Sequence, residues 1–243
     1  MAGDSFTVVD WLDRPLAAFD LETTGTDPEE DRIVTASVAL VGAGLEPEAV
    51  DWLVDPGIEI PESATRVHKI TTEMARTEGR KPEEAVAEIT RLLAAYVNED
   101  YPIVAFNARY DLTMLDRESR RYGIEPLVEL VGDSGLLVID PMILDKQQDP
   151  YRPGKRKLTD VCAVYGVELT EAHAAHADAL AAARLAWRLG KSNPEFGDLD
   201  LPTLHEQQIE WARTQAEGLQ QYFDEQGLDR VVEPEWPLVS WPG

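Results

Sequence analysis

The chain has 243 residues, 44% hydrophobic and 28% charged, the balance of a folded domain plus an extension rather than of a disordered chain. Its 46 acids against 22 Lys and Arg give a net charge of −24, which by itself repels phosphate and argues against a nucleic-acid partner unless acids cluster to hold cations. No apolar run approaches the ~20 residues of a membrane helix, the opening MAGDSFTVVDWLDRP lacks the marks of a signal peptide, and the single Cys162 excludes an internal disulfide, so a cytoplasmic protein with no membrane partner is expected.

In chain order, residues 16–21 read as a first strand, RIVTASVALVGAG (32–44) as a second and AVDWLVDPG (49–57) as a third, and their short connections predict an antiparallel meander. PEEAVAEITRLLAAYVN then places Val86, Ile89, Leu93, Tyr96 and Val97 on one helical stripe. PIVAF (102–106) is a short strand, ARYDLTMLDRESRRYG a helix stopping at Gly123, and LLVID (136–140) another strand. Helices follow at LTDVCAVYG and ADALAAARLAWRLG, each ended by glycine. This order predicts an α/β domain over residues 14–191, a mixed sheet with helices on its faces. KSNPEFGDLDLP reads as a linker into a C-terminal extension, 192–243, with a helix over TLHEQQIEWARTQAEGLQQYFDEQG and an extended VVEPEWPLVSWPG.

Three polar stretches interrupt the pattern. Asp20 and Glu22 sit in the first strand, where alternation puts both side chains on one face, roughly 7 Å apart. Burying a carboxylate without a partner is costly, so the pair fits either shared hard divalent cations or a polar edge strand with both acids in water. The TTG that follows offers hydroxyls and N–H groups to a ligand, or simply makes a turn. In VAFNARYDLTML, Asp111 falls in the first turns of a helix, where an acid suits the dipole, and Asn107 reads as an N-cap. Asp178 begins an Ala-rich helix, and His173 stands before it; an imidazole with an ordinary pKa of ~6.5 can take a proton from water at neutral pH. His176 carries no such argument and reads as surface or capping.

Together, FDLETTG, FNARYD and AHAAHADA resemble in order and spacing the three motifs of the DEDDh exonucleases. These are DnaQ-like relatives of ribonuclease H that include polymerase proofreading subunits, oligoribonucleases and RNase T. RVHKITTEM resembles the His-Gly-Ile-Thr segment usual between the first two motifs, with Lys69 in place of the glycine, and LVIDPMIL and KLTDVCAVYGVEL are also family-like. The resemblance spans about residues 16–190 and implies a ribonuclease H-like fold, a mixed five-stranded sheet flanked by helices. It implies that Asp20, Glu22, Asp111 and Asp178 hold two Mg²⁺ or Mn²⁺ ions, with His173 the general base of phosphodiester hydrolysis.

Thr23, Thr24 and Gly25 match positions where that family grips the terminal nucleotide, and Phe106, beside Asn107, stands where it often has histidine. Arg152, Lys155, Arg156 and Lys157 in YRPGKRKL form either a solvated loop or a phosphate-tracking patch. The expected activity is a metal-dependent 3′–5′ exonuclease on single-stranded DNA or 3′ ends. An exoribonuclease or oligoribonuclease is the alternative, because that choice rests on contacts to the 2′-OH. A polymerase-associated proofreading subunit is another, with polymerase docking or self-association through Trp211, Leu219, Tyr222, Phe223, Trp236 and Trp241 of the extension, residues that packing onto the catalytic domain explains equally well.

Overall fold

The alternation that marks the first strand holds in the computed structural model of the chain, which describes residues 10–132, 135–169 and 172–243. Residues 1–9, most of the opening read as lacking a signal peptide, lie outside the described residues. β1 (Leu16–Thr23), β2 (Ile33–Gly42) and β3 (Leu45–Leu53) form the antiparallel meander, with Phe19 opposite Val38 and Val38 opposite Val50. α1 (Glu62–His68), α2 (Thr72–Glu78) and α3 (Pro82–Asn98) follow. β4 (Ile103–Val104) joins the free side of β1 in parallel, and β5 (Val138–Ile139) joins β4, giving the order β3-β2-β1-β4-β5. Between them run α4 (Ala108–Arg121) and α5 (Leu127–Val131). Then come α6 (Pro141–Gln148), α7 (Leu158–Tyr165), α8 (Ala175–Ser192), α9 (Pro194–Gly197) and α10 (Leu201–Glu225). This is the expected mixed five-stranded sheet flanked by helices.

β1 divides the core. Ala17, Phe19 and Leu21 pack with Val86, Ile89 and Leu93 of α3 and Leu112 and Leu115 of α4. Leu16 and Ala18 pack with α8, whose Ala179, Ala182 and Ala186 let it lie close on the sheet. Burial of each large apolar side chain contributes about 1.5–3 kcal/mol. That burial fixes register, because a one-residue slip of β1 would turn Asp20 and Glu22 into the α3 core. Parity therefore places both acids on the α8 face, just beyond Ala18.

The structure departs from the sequence expectation in three places. PIVAF and LLVID contract to two paired residues each, because β1 pairs in parallel only at Ala17 and Ala18. α1, α2, α5 and α6 are short elements that periodicity does not single out; α2 is marked only by its cap, Thr71, whose hydroxyl accepts the Met74 N–H at 3.1 Å. Residues 191–202, expected as a linker, contain α9 and bury Phe196 completely. Trp11 Nε1 donates to the Phe196 carbonyl at 3.0 Å, and the Phe196 ring meets Trp211 edge-on at 5.6 Å. The Pro and Gly of this stretch mark a chain reversal at the core's edge rather than a detached tether.

α10 closes the edge of β5 with side chains. Gln208 Nε2 donates to Val138 O at 2.9 Å while its Oε1 accepts the Asp140 N–H at 2.8 Å, and His205 Nδ1 accepts the Val138 N–H at 3.1 Å. An edge strand's unpaired amides are thereby satisfied without another strand. The tail beyond α10 returns along α4. Val239 N–H donates to Thr113 Oγ1, Arg109 donates to Glu233 O, and Arg117 donates to Val239 O beneath the Trp241 ring. Trp211 and Trp236 thus pack inward, whereas Leu219 and Tyr222 stay exposed.

Candidate active site

Because β4 ends at Val104, the second half of β1 has no strand on that side, and its N–H groups need other partners. α4 supplies one: Asp111, in its first turn, accepts the Leu21 N–H through Oδ1 at 3.0 Å. α8 brings Asp178 to the same place in its own first turn. Asp20 and Glu22 arrive from β1, whose pairing with β2 shifts by a bulge between Glu22 and Thr23. Three elements thus bring together the four acids singled out in the sequence.

Burial is the main force on all four carboxyls and raises the pKa of each. Asp20 is lifted well above the usual range, first by burial and then by the charges of Asp111, Asp178 and Glu22. Glu22 is pushed up to about 7 by burial and then by Asp178. Burial raises Asp111, against the opposing Leu21 N–H, and raises Asp178, against the N–H and imidazole of His173. No guanidinium or ammonium offsets them among the described residues.

His173 precedes α8 with φ 70°, in the left-handed region that non-glycine residues rarely adopt. Its N–H donates to Asp178 Oδ2 at 3.1 Å, and its ring is exposed. One ligand atom from each of Glu22, His173 and Asp178 lies within 4.8 Å of the others. Asp178 Oδ1 is buried and has no hydrogen-bond partner among the described residues. An orphaned carboxylate oxygen among like charges is what a divalent cation would complete, and an oxygen-rich set suits Mg²⁺ or Mn²⁺.

The substrate-binding candidates fare differently. Thr24 is almost fully buried; its Oγ1 donates to Asp31 Oδ1 at 2.8 Å and accepts the Arg32 N–H at 3.0 Å, so it makes a turn. Thr23 Oγ1 donates to Gly25 O at 2.6 Å, which the Tyr110 hydroxyl also reaches at 2.6 Å. A side chain at Gly25 would collide with the Asp31 carboxylate. Phe106 is half-buried and packs against the α8-side core. Asn107, at φ 66°, makes no side-chain cap; instead the buried Asp140 carboxylate accepts the N–H groups of Asn107 at 3.0 Å and Ala108 at 2.9 Å.

The basic loop divides. Arg152 and Arg156 turn onto the fully buried Asp145, Nη2 and Nη1 donating to Oδ2 at 2.7 and 2.5 Å. Arg156 thus acts as a counterion to Asp145, while Lys155 and Lys157 are exposed. His176 is exposed, 3.7 Å from Asp51.

Sequence reasoning passed over two residues. Tyr110, beside Asp111, ties α4 to the turn after β1. His68 is buried, its Nδ1 accepting the Ile70 N–H at 3.1 Å. With Thr35, Trp52, Ile70, His173 and His176 it lines a recess of about 460 Å³. HKIT was its only signal. Lys69 has φ 68°, which gives the physical reason a glycine suits that position.

The family model described as RNase_T exonuclease matches residues 17–186. A "DNA polymerase III PolC-type" of Halalkalibacterium halodurans is 27% identical over 76% of this chain and 12% of its own length. A "DNA polymerase III subunit epsilon-like protein" of Rhodobacter capsulatus is 37% identical over 43% of this chain and 14% of that protein. The chain thus spans a small part of these relatives. Among solved structures, E. coli Exonuclease I in complex with a dT13 oligonucleotide superposes with TM-score 0.65 at 20% identity, covering 76% of this chain and 42% of that one. Exonuclease I from Methylocaldum szegediense gives 0.60 at 22% identity, over 86% and 45%.

Proposed function

The chain belongs to the RNase_T exonuclease family, and from that premise we propose that it is a metal-dependent 3′–5′ exonuclease acting on single-stranded DNA or 3′ ends. The observation that carries this reading is the convergence of Asp20, Glu22, Asp111 and Asp178, with His173 beside them, at the end of β1, where no guanidinium or ammonium among the described residues offsets them.

Asp20, Glu22 and Asp178, joined by Asp111, would hold two Mg²⁺ or Mn²⁺ ions. When bound, such ions neutralise the phosphodiester, acidify a water and stabilise the departing oxygen. His173 takes the proton of the attacking water on an imidazole nitrogen, while its backbone tie to Asp178 keeps the ring over the cluster. Water oxygen bonds to phosphorus, the P–O3′ bond breaks, and a nucleoside 5′-monophosphate leaves a new 3′-hydroxyl. The recess lined by His68 and Trp52 lies next to His173 and would take the terminal nucleotide. Residues 14–191 would form the catalytic unit, with residues 192–243 closing the β5 edge.

The preference for DNA draws on the relatives, two of which carry DNA polymerase names and one of which was solved with a DNA oligonucleotide. Those names also favour a second reading as a proofreading module, for which Leu219, Tyr222 and Trp241 are the exposed anchors of the extension. Degradation of matched end-labelled DNA and RNA oligonucleotides in Mg²⁺ and Mn²⁺ tests the assignment. Shortening from the 3′ end of DNA is expected. Faster shortening of RNA would replace the first reading with the exoribonuclease, and no shortening of either would refute both.

A further inference from the structure

At the opposite end of β1 from the acids, the chain carries an apolar cavity of about 570 Å³ between α8 and the β2–β3 turn. Leu12, Leu16, Val41, Leu180 and Trp187 line it, and the volume falls in the range that accommodates large side chains of a ligand. Trp187 is 43% exposed, an unusual state for so large an apolar ring. Arg184 and Arg188 also line the cavity. They stand one turn apart on α8, exposed, and neither makes an ion pair or hydrogen bond among the described residues. Like charges at that spacing repel each other mildly, and a shared anion removes the repulsion. Lys191, 5.8 Å above the Trp187 ring, extends the same basic face. Among the described residues Glu168 is the one acid in the lining. In a chain of net −24, a cationic rim around an apolar hollow is a local inversion of the prevailing charge.

We propose that this groove binds an acidic segment of a partner protein, with a leucine or phenylalanine entering the cavity and aspartate or glutamate side chains meeting Arg184 and Arg188. Both halves of the recognition are on the surface: the hollow selects an apolar anchor, and two guanidiniums select carboxylates, which they can bind bidentately. Single-stranded nucleic acid fits less well, because Arg184, Arg188 and Lys191 on one helix face give a short phosphate track and the hollow is apolar rather than a flat stacking platform. The inference is independent of the nuclease reading, since none of its residues belongs to the acidic cluster.

The test uses the full chain and a fluorescein-labelled peptide alternating aspartate with leucine and phenylalanine, read by fluorescence anisotropy. Binding is expected to weaken with salt. It should fall by about tenfold or more in the Arg184→Glu, Arg188→Glu double variant, and fall again when Trp187→Ala is tested alone. A peptide with lysine in place of aspartate, or alanine in place of the apolar residues, should not bind. The double variant should still degrade oligonucleotide and keep its melting temperature, which separates loss of docking from loss of fold. No anisotropy change with the wild type overturns the proposal, as does equal binding of the lysine peptide. Loss of affinity for a labelled oligonucleotide in the double variant, with peptide binding intact, would show the groove to be a nucleic-acid track instead.

Discussion

Two regions of the protein bury acids in contrasting ways. Around Asp145 and in the second half of α4, each buried carboxylate has guanidiniums on it. Asp145 takes Arg152 and Arg156, Asp116 takes Arg117 at 2.7 Å and Arg120 at 3.1 Å, and Glu118 pairs with Arg121. At the end of β1, four acids share a space with no such partner among the described residues, and their pKa values rise together. The first arrangement is finished when the chain folds. The second needs something from outside, and that difference, not the number of acids, distinguishes a site from a scaffold.

The largest effect that sharpens the contrast is catalytic. His173→Ala should cut turnover by about 10²–10⁴-fold, the usual contribution of a general base, while oligonucleotide binding measured in Ca²⁺ stays near wild type. His176→Ala should retain activity. The reverse pattern would place the base at the wrong histidine.

Next in size is the paired region. Asp145→Ala leaves two guanidiniums facing a buried pocket and should cost about 3 kcal/mol, or roughly 6–12 °C of melting temperature for a chain of this length. That loss should be the same in EDTA and in Mn²⁺. A loss that Mn²⁺ repairs would tie Asp145 to the cation site and dissolve the distinction.

The unpaired region should respond in the opposite sense. Asp20→Asn removes one of four mutually repelling charges, so its melting temperature in EDTA should rise although cleavage is abolished. Mn²⁺ should stabilise the wild type by mass action and the variant far less. A variant less stable than wild type in EDTA would end the idea of a strained cluster.

The pH dependence follows from the same repulsion. Glu22 has its folded pKa raised from 4.5 to about 7, so it binds its proton more tightly folded than unfolded. Its contribution is fully present below 4.5 and is lost as pH rises through about 7. Asp20, Asp111 and Asp178 are shifted in the same direction. Urea midpoints in EDTA should therefore fall between mildly acidic and mildly basic pH, and Mn²⁺ should flatten or invert that slope. A midpoint in EDTA that climbs over this range would count against the cluster.

The smallest effects concern the basic loop. Lys155→Gln and Lys157→Gln should each lower the salt dependence of oligonucleotide binding by about one unit of slope. Arg156→Gln should leave that slope unchanged and reduce thermal stability instead. Titrations at several salt concentrations distinguish the two kinds of loop residue.

What could be read from the sequence divides along similar lines. The meander, the stripe of α3, the Ala-rich α8 and the four converging acids were legible because each has a short-range signature, whether a period, a cap or a motif. The partners of Thr24 and Arg156 were not. Thr24 spends its hydroxyl on Asp31, and Arg156 turns inward to Asp145, eleven residues away. No local pattern separates a solvated arginine from one folded back on a buried acid. Phe196 was hidden for a related reason: Pro, Gly and Asp around it signal a turn, and composition does not say whether the turn lies inside or outside the core.

The bond from Leu21 N–H to Asp111 Oδ1 has a consequence for how the chain could change over generations. Asp111 serves two masters: one oxygen completes the backbone of β1, and only the other is free for a ligand. Asp20 has no comparable duty to the fold. A descendant that abandoned catalysis would be free to shed Asp20 early, and would gain by it. Asp111 would persist longer, since losing it strands a buried amide that costs about 1–3 kcal/mol. The acids of this site would therefore decay in an order set by the sheet rather than by the chemistry, and a silent relative retaining Asp111 alone would be a fossil of architecture, not of activity.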